Sequence, residues 1–96
     1  MASPMPSSRR VVVPDSVLFR ELSGESVILN LTTESYLGLD EVGTRMWTAL
    51  TSEPSIEAAY RALLAEYDVA PDTLRTDLEH LLGQLLEHGL ITLADE

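Results

Sequence analysis

The sequence contains no cysteine and no lysine. Without cysteine, a disulfide framework, a zinc–thiolate site and a thiol nucleophile are all excluded. Basic charge is scarce as well: the 6 basic residues, all arginine, face 16 acidic ones, and the net charge is −10. We therefore expect neither nucleic acid nor an anionic membrane as a partner, because both attract proteins through Lys and Arg.

Long hydrophobic runs are also missing. No apolar stretch approaches the roughly 20 residues that span a bilayer. The first ten residues, MASPMPSSRR, lack the apolar segment of a secretory signal. These features predict a cytoplasmic protein, and a length of 96 residues with 45% hydrophobic content predicts a single domain.

The N-terminal segment is rich in Ser and Pro and has no hydrophobic periodicity. Such a composition is typical of a disordered segment. We predict an arm over residues 1–14 and a folded domain over residues 15–94.

Three short β-rich segments follow, and short polar turns separate them. They are VLFREL (17–22), SVILNL (26–31) and SYLGL (35–39). Tight turns between such segments predict an antiparallel meander. In the third strand, alternation places Leu37 and Leu39 on one face and Tyr36 and Gly38 on the other.

Helical patterns occupy the rest of the chain. Asp40 is a good N-cap for the segment EVGTRMWTAL, Pro54-Ser55 marks the entry to a second helix, and Pro71 suits the first turn of a third. Gly89 suits the position just after the third helix, and LITLA after it predicts either a short final strand or a segment docked on the core. The fold class is α+β: a winged helix-turn-helix-like domain with a three-stranded antiparallel meander followed by three helices.

Gly43 falls early in the first predicted helix, where alanine is better by roughly 1 kcal/mol. The simplest explanation is a close approach between this helix and its neighbour, which a Cβ atom would prevent.

The sequence offers little catalytic chemistry. His80 and Asp77 can share a face of the third helix, but two ligands make a weak metal site, and a solvated helix face explains them equally well. No Gly-rich phosphate loop is present, and no hydroxyl residue has an evident base beside it. We expect no enzymatic activity, no catalytic residue, no metal and no cofactor.

Leucine is unusually frequent in the third helix. A core stripe is formed by Leu74, Leu78, Leu81 and Leu85, and Leu82 and Leu86 widen it, with Arg75 and Glu79 on the adjoining face. Either the helix has a wide core face or part of this edge lines an apolar groove, since an exposed apolar strip often marks a binding site.

The third strand is the last of the meander, so one of its edges is expected to lack a partner. An open edge is a template for an incoming extended chain, which binds through its backbone and is selected through its side chains. The alternative is an edge that twist or the C-terminal tail covers.

The segment from Val17 to Leu50 resembles the PqqD-like peptide-binding proteins, also called RiPP recognition elements. Their pattern places a glycine turn between two strands, followed by Tyr-x-x-Leu-(Asn/Asp)-x-x-Gly-x-x-(Ile/Met)-Trp. The matching residues are Gly24, Tyr36, Leu39, Asp40, Gly43, Met46 and Trp47. The closing segment is similar too, through Asp68, Asp77, Leu81, Leu85, Gly89 and Leu90. The family often has Asn where Asp40 stands, and both residues cap helices.

The resemblance implies a domain that binds the leader segment of a ribosomally made precursor peptide by strand addition. On the strand side it implies contacts from Thr33, Glu34, Ser35, Tyr36, Leu37 and Gly38. On the helix side it implies contacts from Leu74, Arg75, Leu78, Glu79 and Leu82. Leu78 and Leu82 would hold apolar anchors of the leader, and Arg75 would pair with a leader carboxylate.

The sequences of the first strand and of the segment Leu-Asp-Glu-Val-Gly resemble the lasso peptide type of this family more than the other types. That type implies a leader-cleaving cysteine peptidase and an ATP-dependent macrocyclase as partners. Three alternatives stay open: a PqqD-type peptide chaperone in pyrroloquinoline quinone or another RiPP pathway, a winged-helix DNA-binding regulator, and a structural subunit without peptide affinity.

Overall fold

The computed structural model describes residues 8–95 of the chain. Within them the order of elements is β1 (Arg10–Val12), β2 (Val17–Leu22), β3 (Glu25–Asn30), β4 (Tyr36–Leu39), α1 (Glu41–Ser52), α2 (Ile56–Glu66), α3 (Pro71–Glu87) and β5 (Thr92–Ala94).

Strands β2, β3 and β4 form one antiparallel sheet in the order β2-β3-β4. The turn from β2 to β3 contains Gly24, whose φ of +86° is easily adopted only by glycine. The three helices follow this meander, so the predicted α+β, winged-helix-like architecture is confirmed.

A second, two-stranded antiparallel sheet joins the ends of the described chain. Its strands are β1 and β5, with Val11 opposite Leu93. Val11 is buried, and the backbone N–H of Ile56 donates to the carbonyl of Arg9 at 2.8 Å. The predicted arm of residues 1–14 therefore ends earlier: its part from Arg9 onward is held by backbone pairing, and residues 1–7 lie outside the described residues.

The three-stranded sheet has one buried and one open face. Ser26, Ile28 and Asn30 of β3 are buried, whereas Val27 between them is exposed. Residues that pair across an antiparallel ladder share a face, so Leu37 and the other partners of the buried positions also point toward the helices.

Helix α1 begins where β4 ends. The Asp40 carboxylate caps it by accepting a hydrogen bond from the Gly43 N–H at 2.8 Å. A Cβ atom on Gly43 would lie 3.3 Å from the Leu39 side chain and from the Asp40 carboxylate. The close approach predicted for this glycine is therefore present, and its neighbour is the end of β4.

The core fills the space between the sheet and the helices. Its largest fully buried side chains are Ile28, Leu50, Ile56, Leu63, Leu78, Leu85 and Leu90. Trp47 of α1 stacks on Phe19 of β2, with 5.6 Å between the ring centroids. This contact anchors α1 against the sheet.

Polar contacts join α1 to β3 and to α2. The hydroxyls of Ser26 and Thr44 form a buried hydrogen bond of 2.8 Å between β3 and α1. Arg45 pairs with Glu66 at 2.8 Å between α1 and α2, and the hydrogen bond that the guanidinium donates to this carboxylate raises the pKa of Arg45. Both partners of the second contact are partly exposed, so it adds little stability.

Among residues 8–95, no helix has the length and hydrophobicity required to cross a membrane.

Candidate peptide-binding site

The outer edge of β4 has no strand partner among residues 8–95. The C-terminal strand β5, which could have covered this edge, pairs with β1 instead. The open edge predicted for the third strand of the meander is therefore available in the described part of the chain, and an extended peptide can pair with it.

The hydrogen-bond pattern between β3 and β4 shows which backbone groups of β4 point toward the open edge. The Asn30 N–H donates to the Ser35 carbonyl at 2.8 Å, so this opposed pair is a hydrogen-bonded one. Such pairs alternate along an antiparallel ladder, so Leu37 and Leu39 also direct their backbone groups toward β3. The N–H and C=O groups of Tyr36 and Gly38 therefore point outward, toward an incoming strand.

Asn30 holds the turn that leads into β4. Its side-chain oxygen accepts hydrogen bonds from the N–H groups of Thr32 and Thr33, at 2.9 and 3.1 Å. Its side-chain amide donates to the carbonyl of Gly89, just after α3, at 2.8 Å. One buried side chain therefore connects the start of β4 with the end of α3.

A groove of about 290 Å³ lies between the end of β4, the first turns of α1 and the middle of α3. It is lined by Leu39, Asp40, Val42, Gly43, Met46, Asp77, His80, Leu81 and Gln84. Leu39, Met46 and Leu81 form an apolar floor that is nearly closed to solvent. The polar residues lie at the rim, so the groove can receive an apolar side chain while the peptide backbone remains at the surface.

The predicted strand-side residues lie on and just before β4. Thr33 and Glu34 are exposed in the turn, and Glu34 has a positive φ of 65°. Tyr36 is 67% exposed and shares the open face of the sheet with Gly38. Leu37 is half-buried and packs against the core. The structure therefore brings this set together along one edge.

The predicted helix-side residues have different surroundings. Leu74, Leu78 and Leu82 are all buried in the core, with 3%, 0% and 3% of their surfaces exposed. They point at the sheet and the other helices, so their side chains are not at a free surface. None of the three lines the groove beside β4, so none is placed to hold a side chain that enters it.

Arg75 and Glu79 lie on the edge of α3 away from the groove. The Arg75 guanidinium sits 5.6 Å from the ring centroid of Tyr60 in α2. Glu79 borders a depression on the outer surface of the helix, which His80 and Gln84 also line from its other side. Successive helix residues are rotated by about 100°, so a stripe of leucines has two edges. The groove runs along the edge that does not carry Arg75.

The helix residues that do line the groove are Asp77, His80, Leu81 and Gln84. A partial signal for them is present in the sequence, since Asp77 and His80 share a helix face and Leu81 belongs to the leucine stripe. No pattern in the sequence indicates which edge of that stripe faces β4.

The groups at the site are suited to noncovalent binding of a peptide. The Asp40 carboxylate at its rim is engaged as the cap of α1. No three His, Cys, Asp or Glu side chains within residues 8–95 come together as potential metal ligands. What the site offers is a backbone edge, an apolar floor and a polar rim.

A three-stranded meander, three helices and an open edge beside the last helix define a small winged-helix-like α+β domain with an exposed sheet edge. The chain belongs to the PqqD family: residues 25–91 match the family described as Coenzyme PQQ synthesis protein D.

Two solved structures share this fold. The first, TbiB1 in complex with the TbiA(beta) leader peptide, is 35% identical to this chain, with a TM-score of 0.76 over 83% of this chain and 93% of that one. The second, a lasso peptide synthetase B1 complexed with the leader peptide, is 18% identical, with a TM-score of 0.75 over 86% of this chain and 98% of that one. No curated protein matches the sequence.

Proposed function

We propose that this chain binds the leader segment of a ribosomally synthesised precursor peptide during lasso peptide maturation and performs no catalysis itself. The observation that carries the proposal is the unpaired outer edge of β4, within the described residues, beside the apolar groove of α3. The likeness to TbiB1, solved in complex with the TbiA(beta) leader peptide, supports leader binding as the function.

In the proposed complex, the leader adds as a strand to β4. The outward N–H and C=O groups of Tyr36 and Gly38 pair with its backbone, which provides affinity that depends little on sequence. One of its apolar side chains enters the groove over Leu39, Met46 and Leu81, which provides selectivity. Thr33, Glu34 and Ser35 flank the start of the edge.

The helix-side contacts of this proposal are the residues that line the groove, namely Asp77, His80, Leu81 and Gln84. The roles expected for Leu74, Leu78 and Leu82 become indirect, because these side chains support α3 from inside the core. Arg75 and Glu79 would contact the leader only if the leader continues around α3 beyond the groove.

The bound leader would be handed to a leader-cleaving cysteine peptidase and an ATP-dependent macrocyclase. Because the precursor is made by ribosomes, we place this step in the cytoplasm. The match to a family described by coenzyme PQQ synthesis favours one second candidate, a peptide chaperone of a pyrroloquinoline quinone pathway. The neighbouring open reading frames would distinguish the two: a short precursor gene with a peptidase and a cyclase alongside favours the lasso pathway.

The direct test is fluorescence polarisation with two labelled peptides: the leader of the cognate precursor, and the TbiA(beta) leader. We expect saturable binding of the first, and absence of binding at tens of micromolar would refute the proposal. A pull-down that recovers the peptidase without any dependence on the leader would instead favour a structural subunit.

Strand addition itself is tested at Tyr36. Tyr36→Pro removes an outward N–H that no residue of the sheet uses, and proline is tolerated at such positions of edge strands. Tyr36→Val removes the ring but keeps the N–H. We expect the proline variant to bind the leader about tenfold more weakly than the valine variant, a loss comparable to one or two backbone hydrogen bonds. Equal affinities would exclude pairing at this residue.

A further inference from the structure

The open face of the sheet, which points away from the helices, is unusually apolar. Register places Leu18, Leu29 and Tyr36 in one row across the three strands, and Val27 next to Gly38 in the following row. The exposed fractions of Leu22, Tyr36, Val27 and Leu18 are 81%, 67%, 47% and 44%. Scattered exposed apolar residues are ordinary, but several on one face mark an interaction surface.

A hollow of about 620 Å³ crosses this face. Its lining comes from all three strands and includes Leu22 and Arg20 on β2, Val27 on β3 and Gly38 on β4. The hollow therefore reaches the strand whose outer edge is open.

Gly38 gives the hollow its opening toward that edge. A Cβ atom built on Gly38 would meet no atom within 4 Å, and its φ is not in the left-handed region. Neither close packing nor backbone conformation requires a glycine here, and glycine weakens a strand interior. Because Gly38 has no side chain, a side chain that enters from the open edge can cross β4 and reach Val27.

We propose that this hollow is a second subsite for the leader, and that it takes a large apolar side chain, aromatic in type, from the leader residue opposite Gly38. The inference rests on the proposed function, because it requires the leader to pair with β4. A leader strand presents alternate side chains to the two faces of the sheet, so those that do not enter the groove at α3 point toward the open face.

The distances suit an aromatic side chain. A leader residue that pairs with the outward backbone groups of Gly38 has its Cα about 5.5 Å from the Cα of Gly38. The Cα of Val27, on the far side of Gly38, is about 4.5 Å further away. An aromatic ring is long enough to cover glycine and contact the valine behind it, as in other cross-strand pairs of aromatic and β-branched residues. A β-branched residue at position 38 would occupy this space.

The subsite is tested by combining Gly38→Val with alanine substitutions along the labelled leader of the cognate precursor. At one leader position, we expect alanine to weaken binding to the wild-type protein about tenfold, as loss of a buried large side chain does. The same substitution should change binding to Gly38→Val less than about twofold. Leader positions that face α3 should keep their full effect in both proteins.

Gly83→Ala is the matched control. A Cβ atom added to Gly83 would also meet open space, but this glycine lies on the surface of α3, outside the groove and the hollow. Binding to Gly83→Ala should show the same alanine profile as the wild type. Val27→Thr, which keeps the shape of the side chain and adds a hydroxyl, should reduce the effect at the same leader position about threefold.

The proposal is overturned if no leader position loses its alanine effect in Gly38→Val, or if that variant binds the unsubstituted leader as the wild type does while both are equally folded by circular dichroism. In either case strand addition and the groove at α3 stand. Failure of the wild type to bind the leader is a different result, and it removes the proposed function itself.

Discussion

The side-chain amide of Asn30 donates a hydrogen bond of 2.8 Å to the carbonyl oxygen of Gly89, 59 residues further along the chain. Asn30 ends β3 and holds the turn into β4, while Gly89 follows the last turn of α3 with a φ of +69°. The two walls of the candidate site are therefore connected through one buried residue.

Replacement of Asn30 should loosen this connection. Asn30→Asp keeps an oxygen for the N–H groups of Thr32 and Thr33 but loses the donor to Gly89 and buries a charge beside its carbonyl. We expect the free energy of unfolding to fall by about 1–3 kcal/mol at neutral pH. Urea denaturation measures it, and a variant as stable as the wild type would show that the contact with Gly89 contributes nothing.

Leu78 is buried and Leu86 on the same helix is partly exposed, so alanine substitutions at the two positions should differ in their effect on stability. Leu78→Ala should lower the free energy of unfolding by about 2–5 kcal/mol, because the cavity it leaves is fully enclosed. Leu86→Ala, on the same helix at a side chain that is 44% exposed, should change it by less than about 0.5 kcal/mol. Similar midpoints in thermal unfolding for the two variants would contradict this placement of α3.

Tryptophan substitutions on the two edges of α3 can identify the edge that contacts the leader. His80→Trp and Gln84→Trp add bulk at the groove of about 290 Å³ and should weaken leader binding about tenfold or more. Glu79→Trp adds the same bulk on the other edge and should leave the affinity unchanged. The reverse pattern, measured by fluorescence polarisation, would return the site to the edge that carries Arg75.

The buried hydroxyl pair of Ser26 and Thr44 should behave as a unit. Ser26→Ala alone leaves the Thr44 hydroxyl without this partner and should cost about 1–3 kcal/mol of stability. The double variant with Thr44→Val removes both hydroxyls, so its cost should be smaller than the sum of the two single costs. Strict additivity in a double-mutant cycle would mean that the two hydroxyls do not interact.

Local signals in the sequence were sufficient for most of the fold. Alternation along SYLGL placed Leu37 and Leu39 on one face, and Asp40, Ser55 and Pro71 marked the helix starts that the structure has. These predictions were confirmed because periodicity, capping and turn geometry depend on neighbours within a few residues. The strand at Arg10–Val12 was missed because its three residues are held by a partner about 80 positions away.

Composition and local patterning alone establish that this chain has no thiol chemistry, is strongly acidic, forms a meander followed by three helices and carries more leucine on the last helix than one face requires. The position of β5 depends on three-dimensional packing, and with it the open edge of β4 in the described chain. The same packing turns Asp77, His80, Leu81 and Gln84 toward the groove, while Leu74, Leu78 and Leu82 fill the core. The physical reason is that helical periodicity fixes which residues share a stripe, whereas the rotation of the stripe relative to the sheet is set by long-range packing of α3 against elements distant in sequence.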